Sequence, residues 1–260
     1  MPHHDLRRVH VDSPFDAPVL YRETVTSTMD EARKLSSKIS PHGTVIIAGY
    51  QTQGRGRIRG RPWTASRGQN LSCTIILRYA PGEIPPAITL RTGLALALAL
   101  EDFAPALSGR VRVKWPNDIM LDTKKAAGIL TEAGGEVVYI GIGVNLAQTE
   151  FPPDYAAKAT SLLLAGISEA AAPEARFKLL GYILLRLHAE LGPDTGSWRG
   201  RLEARLYRLG GNVSFAPGAA DSGELVRGRL AGIGEDGELL IVPEGEAGPR
   251  AFVTGELGRR

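Results

Sequence analysis

The chain of 260 residues contains a single cysteine, so it has no intrachain disulfide, and the cross-linked scaffolds of small secreted proteins are excluded. Cys73 itself lies in the apolar run Asn70–Leu77, where a thiol reads as a buried, inert packing group rather than a nucleophile. No apolar run reaches the length of a membrane span, and the first residues, Met1–Arg8, lack the apolar core of a signal peptide, which predicts a cytoplasmic protein without a membrane partner. Aromatic residues are only 6% and the formal net charge is only +3, too mild for a nucleic-acid coat. Internal repeats and long linkers are absent as well. What is present is 43% hydrophobic residues, enough to bury one sizeable core and a small accessory domain.

The segment Gly54-Arg55-Gly56-Arg57-Ile58-Arg59-Gly60-Arg61-Pro62-Trp63 sets four arginines among glycines. Arginine offers a permanent planar fork for carboxylate or phosphate, and glycine lets the backbone approach a ligand and present its own N–H groups. β-branched residues at 43–50 predict a strand before this loop, and 70–77 predict one after it. A dozen irregular residues between two core strands is a length that usually carries function. The reading is a lid over an anion, mobile without ligand because its arginines have no acidic partner nearby in sequence.

A second cluster, Arg112-Val113-Lys114-Trp115-Pro116-Asn117-Asp118-Ile119, precedes Lys124-Lys125-Ala126-Ala127-Gly128-Ile129-Leu130 and then Gly141-Ile142-Gly143-Val144-Asn145-Leu146. In this order, with Ser27-Thr28 and the arginine loop upstream, the chain resembles biotin protein ligases, enzymes that activate biotin with ATP and attach it to a carrier lysine. The resemblance runs from about Val19 to the C-terminus. It implies an α+β fold with a class II synthetase-like mixed or antiparallel sheet flanked by helices, over residues 1–209, and a small SH3-like β-barrel over 210–260. About 18 residues precede the first expected strand at Val19, too few for a helix-turn-helix, so the short, ligase-only type is expected and no nucleic-acid partner.

Local patterns fill in the elements. Thr28 and Glu31 at capping-box spacing predict a helix starting at Ser27-Thr28. Pro86 to Leu107 alternates leucine and alanine, yet its length and alanine content favour a buried helix. Phe177, Leu180, Leu184, Leu187 and Leu191 recur at helical spacing, with His188 as a surface or packing residue. Beyond Gly210, short strands are expected at 212–215, 224–230, 237–242 and 250–253.

Joining a carboxylate to an α-phosphate brings two anions together, so the site needs fixed cations and N–H dipoles. The resemblance implies that Lys125 and Arg55 are catalytic, with the register to Gly128 selecting Lys125 over Lys124. It implies that Ser27, Thr28, Gln51, Gly54, Arg55, Gly56, Arg57, Lys125 and Gly128 hold biotin. For ATP it implies Arg57, Trp63, Asn70, Lys114, Asn117 and Asn145, with Trp63 suited to stack on adenine. Mg²⁺ is expected with ATP, and its ligands are unassigned: Asp118 either helps to place it or orders Lys114. Trp115 reads as a packing residue. Two departures from the family stand out, Met29 where asparagine is usual and one extra residue between Arg57 and Trp63, which shifts Gly60 and Arg61, though not Arg55 and Arg57, against the family's spacing.

The implied protein partner is the biotin carboxyl carrier domain of a carboxylase, and a homodimer is compatible with the resemblance. Two other readings compete. A lipoate ligase shares the adenylation logic but needs a pocket for a dithiolane, whereas Ser27, Thr28 and Gln51 suit a polar ureido ring. A nucleic-acid-binding module would use Arg55, Arg57, Arg59 and Arg61, but the loop lies between strands and has little aromatic interleaving.

Overall fold

The computed structural model describes residues 6–35, 40–58, 60–192, 196–218 and 225–258. Strands β1 (Arg7–Val9) and β2 (Val19–Val25) are followed by helix α1 (Thr28–Lys34), β3 (Thr44–Gln51), β4 (Asn70–Arg78) and helix α2 (Ile88–Phe103). Then come β5 (Val111–Lys114), β6 (Asp118–Leu121), β7 (Lys124–Gly134) and β8 (Val137–Asn145). Helices α3 (Pro153–Ala156), α4 (Ala175–Leu191) and α5 (Trp198–Glu203) precede the last strands, β9 (Asn212–Pro217), β10 (Val226–Ile233), β11 (Leu239–Pro243), β12 (Arg250–Phe252) and β13 (Gly255–Leu257).

The first eight strands form one sheet in the order β1-β2-β3-β4-β8-β7-β6-β5. Only β2 and β3 run parallel; every other neighbouring pair is antiparallel. Because side chains alternate across a strand, Val45, Ile47, Cys73, Ile75, Ile140 and Ile142 enter one core with α2 and α4, while Ile46, Ile76 and Val137 pack with Ala32 of α1 on the opposite face. Helix α2 lies against both α4 and the sheet, so it is apolar nearly all round. That burial explains a leucine-alanine alternation that mimics a strand.

Three expectations need correction. The C-terminal strands form an open sheet, β12-β11-β10-β9-β13, and not an SH3-like barrel. Closure requires the two edge strands to pair, but β12 and β13 are three residues each, and their ladders run to β11 and β9. Short strands punctuated by turns look the same in sequence whether or not the edges meet. The second correction concerns only the cap of α1: the helix starts where expected, but its N-cap is Ser27 and not Thr28, with the Ser27 Oγ accepting from the Met29 N–H at 3.2 Å. Thr28 is the first helical residue, and its hydroxyl turns elsewhere. The third is β1, which precedes the first strand expected and pairs with β2. Of the strand predicted at 224–230, Glu224 lies outside the described residues.

The second sheet touches the first part of the chain at defined points. The Trp115 indole, 3% exposed, donates to the Gly237 carbonyl at 3.0 Å and meets Phe215 edge-on, the packing role expected of it. Glu203 accepts from the Ile233 N–H at 2.9 Å. Among the described residues no helix is long and apolar enough to cross a membrane.

Candidate active site

Strand β8 shows how the sequence clears a site. Gly141 and Gly143 alternate with Ile140, Ile142 and Val144, so the isoleucines and the valine enter the core while the glycines leave open the face that α1 covers. A Cβ on Gly143 would lie 2.5 Å from the Trp63 ring, so the indole sits where a side chain would be. Strand β7 supplies the second device. Its pairing with β6 slips by one residue at Ala126, since Met120 faces Lys125 but Ile119 faces Ala127. The bulge changes the parity of the strand, so Lys125 and Gly128, three apart in sequence, both reach the same pocket.

Two cavities result. The inner one, about 70 Å³, runs between α1, β4, β7 and β8 and is lined by all of the residues expected around biotin except Gly54. The Gly54 carbonyl instead accepts from the Trp63 N–H at 3.0 Å, which closes the base of the arginine loop. The outer cavity, about 570 Å³, includes Arg57, Trp63, Lys114, Asn117 and Asn145, five of the six residues expected around ATP. Asn70 lines neither: its Nδ2 donates to Gln148 at 2.5 Å and its Oδ1 accepts from the Leu146 N–H at 3.1 Å. Gly56, Arg57, Trp63, Asn117 and Lys125 line both cavities and so mark where they meet.

The polar end of the inner pocket has a defined sense. The Thr28 N–H, an obligatory donor, points to Gln51 Oε1 at 2.8 Å, and the Thr28 hydroxyl donates to the same oxygen at 3.1 Å. Gln51 therefore keeps its NH₂ group for the pocket. Ser27 Oγ accepts from Met29, which leaves its proton free to donate. The two donors suit a ligand acceptor such as a carbonyl oxygen.

At the junction, Lys125 Nζ is 2.5 Å from Asp118 Oδ1 and 5.8 Å from the centre of the Trp63 ring. Asp118 is the strand partner of Lys114, yet its carboxylate is paired with Lys125, a contact the sequence did not reveal. Lys124 is exposed and lines neither cavity. Asn117 is anchored through Nδ2 to the Ile129 carbonyl at 2.6 Å, and Asn145 through Nδ2 to the Thr160 carbonyl at 3.0 Å. The Trp63 indole N–H is buried without an acceptor among the described residues.

Acidic partners for the loop arginines do exist, contrary to the sequence expectation; they come from distant elements. Arg55 grips both oxygens of Asp30 at 3.0 and 2.6 Å, and Arg61 holds Glu256 at 2.8 and 3.1 Å. Arg57 donates to the Gly255 carbonyl at 3.0 Å. Arg59 lies outside the described residues. The Arg55 guanidinium holds the Asp30 carboxyl below the usual carboxylate range. Burial pushes the Cys73 thiol up to about 12, in keeping with an inert packing residue. Among the described residues no three His, Cys, Asp or Glu side chains gather as a metal site would require.

Residues 19–146 match the Biotin/lipoate A/B protein ligase family. Over 249 residues the chain is 33% identical to the biotin--[acetyl-CoA-carboxylase] ligase of Paracoccus denitrificans, covering 89% of this chain and 96% of that protein. The chain belongs to the biotin protein ligase family. A solved biotin protein ligase from Aquifex aeolicus, in complex with biotin and ATP, superposes with a TM-score of 0.77 at 28% identity, over 93% of this chain and 98% of that one. The bifunctional ligase/repressor BirA of Bacillus spizizenii is 35% identical over 152 residues, 55% of this chain. The chain spans 46% of that relative, about half its length. Within this biotin ligase framework, Thr74, Asp154, Tyr155, Lys158 and Glu256 also line the cavities. Sequence reasoning missed them because they come from the middle of a core strand, a short helix and the turn after it, and the distant second sheet.

Proposed function

We propose that this chain is an ATP-dependent biotin protein ligase, with ATP and biotin as substrates and a lysine of a biotin carboxyl carrier domain as the final acceptor. The observation that carries the reading is the meeting of two cavities at Lys125 and Arg57, with hydrogen-bond donors at the far end of the inner one. Biotin suits the inner cavity, its ureido oxygen on Ser27 Oγ and Gln51 Nε2 and its carboxylate at Lys125. A dithiolane has no acceptor for those two donors and would leave them unpaired, which is costly in a buried site. ATP suits the outer cavity, where Lys114, Arg57 and Lys158 supply positive charge and Trp63 a flat ring.

In the first step a carboxylate oxygen attacks the α-phosphorus, the bond to the β-phosphate breaks, and pyrophosphate leaves with the electron pair. Lys125 and Arg57 oppose the repulsion of the two anions. In the second step the carrier amine attacks the acyl carbon, AMP leaves, and the amine loses a proton. Mg²⁺ travels with nucleotide phosphates and keeps most of its water, so one or two carboxylates suffice; Asp118 and Asp154 border the outer cavity. Residues 1–209 would form the catalytic unit and 210–260 the C-terminal unit, a division that the second sheet, starting at Asn212, supports. The need for ATP and the single buried thiol support a cytoplasmic location.

The test is transfer of biotin to a purified carrier domain with ATP and Mg²⁺, read by intact mass. One biotin added to one carrier lysine is expected. An unmodified carrier under conditions where a known ligase modifies it would refute the reading.

A further inference from the structure

Strand β4 runs through the centre of the sheet, and most of its positions are apolar, yet Thr74 stands there fully buried. A buried hydroxyl is tolerated only with a partner, and valine would fill the same volume without that demand. Thr74 neighbours Gly141 in the sheet register and lines the inner cavity, and its Oγ1 is 2.9 Å from Thr28 Oγ1.

The direction of that bond follows from its neighbours. Gln51 Oε1 has no hydrogen, so the Thr28 hydroxyl must donate to it; its proton is therefore committed, and Thr74 must donate to Thr28. The relay runs Thr74 to Thr28 to Gln51, one way only. It occupies one of the two lone pairs of Thr28 and helps to hold the Gln51 amide with its NH₂ towards the pocket.

We infer that Thr74 is a specificity-determining positioning residue: by donating to Thr28 it takes up a lone pair at the polar end of the inner cavity and lowers the acceptor capacity there, so that the site selects a ligand carrying a hydrogen-bond acceptor. The inference rests on the biotin reading, with the ureido oxygen as that acceptor. Without the Thr74 proton, Thr28 regains a lone pair and the end of the pocket gains acceptor capacity. Ligands that present a donor there become less disfavoured.

The experiment compares the affinities of biotin and of 2-iminobiotin, which carries a protonated C=NH₂⁺ donor where biotin carries its C=O acceptor. Both are titrated calorimetrically against wild type, Thr74→Val, Thr74→Ala and Thr74→Ser. One neutral hydrogen bond corresponds to about a fivefold to tenfold effect, so the preference for biotin should fall by that factor in Thr74→Val and Thr74→Ala and be kept in Thr74→Ser. A role in packing alone would weaken both ligands together and leave the preference unchanged, which would overturn the inference, as would a Thr74→Ser variant that behaves like Thr74→Ala. If Thr74→Val does not fold, Thr74→Ala against Thr74→Ser decides. A wild-type protein that binds neither ligand would overturn the biotin reading itself, a different outcome from a preference that does not move.

Discussion

Replacing Lys125 by methionine removes the cation at the junction of the two cavities while keeping the length of the stem. Loss of one preorganised donor to a developing charge costs about 100- to 1,000-fold in rate. The structure adds a second cost, because Asp118, 2.5 Å from Lys125 Nζ and partly screened from solvent, would lose its partner. A lone carboxylate about 4 Å from a phosphate at an effective dielectric constant of about 20 contributes up to roughly 4 kcal/mol of repulsion, of which solvent at the junction leaves about a quarter. Lys125→Met should therefore lower single-turnover adenylate synthesis by about 1,000-fold, near the top of the donor-loss range. Adding Asp118→Asn should restore about fivefold of it, the equivalent of about 1 kcal/mol, by removing the stranded charge. Lys124→Ala, on the exposed side of β7, should stay within about threefold of wild type, as surface changes do. Quench-flow with α-labelled ATP and biotin measures all of these. Equal losses at Lys124 and Lys125, or a double variant no faster than Lys125→Met, would refute the reasoning.

The remaining predictions concern the arginine loop and the core thiol. Arg55→Ala should speed amide exchange at Gly56 and Trp63 by about twofold to fivefold, as expected for an exposed ion pair; exchange at the wild-type rate would count against the Arg55–Asp30 tie. Because Arg55 lowers the Asp30 carboxyl, that tie contributes fully above the ordinary aspartate value of about 3.9 and is lost as pH falls through the lowered one. Loop protection should thus hold from pH 8 to 6, after correction for intrinsic exchange, and a drop in that interval would contradict it. Glu256→Gln should raise the adenylate dissociation rate by only about twofold to threefold, since the Arg61–Glu256 pair is exposed; a slower release, measured by stopped-flow, would contradict the tie. Cys73, with burial pushing its thiol to about 12, should resist dithionitrobenzoate at pH 8 and react only after unfolding; rapid labelling of the folded protein would contradict its burial.

Much of the site was legible because its chemistry sits in short, contiguous runs. The loop from Gly54 to Trp63, the Lys114–Asp118 run and Lys125 with Gly128 are each local in sequence, and Arg55, Arg57, Trp63, Lys114, Asn117, Lys125 and Gly128 among them line the two cavities, with Asn70 and Gly54 outside the lining. What escaped notice depends on tertiary placement. The bulge at Ala126 has no signature in residue type, and Thr74 reads as one more β-branched strand residue until Thr28 is brought beside it. The acid partners of Arg55 and Arg61 lie 25 and 195 residues away in sequence, beyond any local rule. The open C-terminal sheet was mistaken for a barrel because strand periodicity is blind to whether edges pair.

The most direct test of the central claim is pyrophosphate release with ATP and Mg²⁺ in the absence of carrier, comparing biotin, lipoate and no acid. The account predicts a burst with biotin matching the enzyme concentration, and with lipoate no more than the background without acid. Equal bursts with both acids, or a burst with lipoate alone, would contradict it.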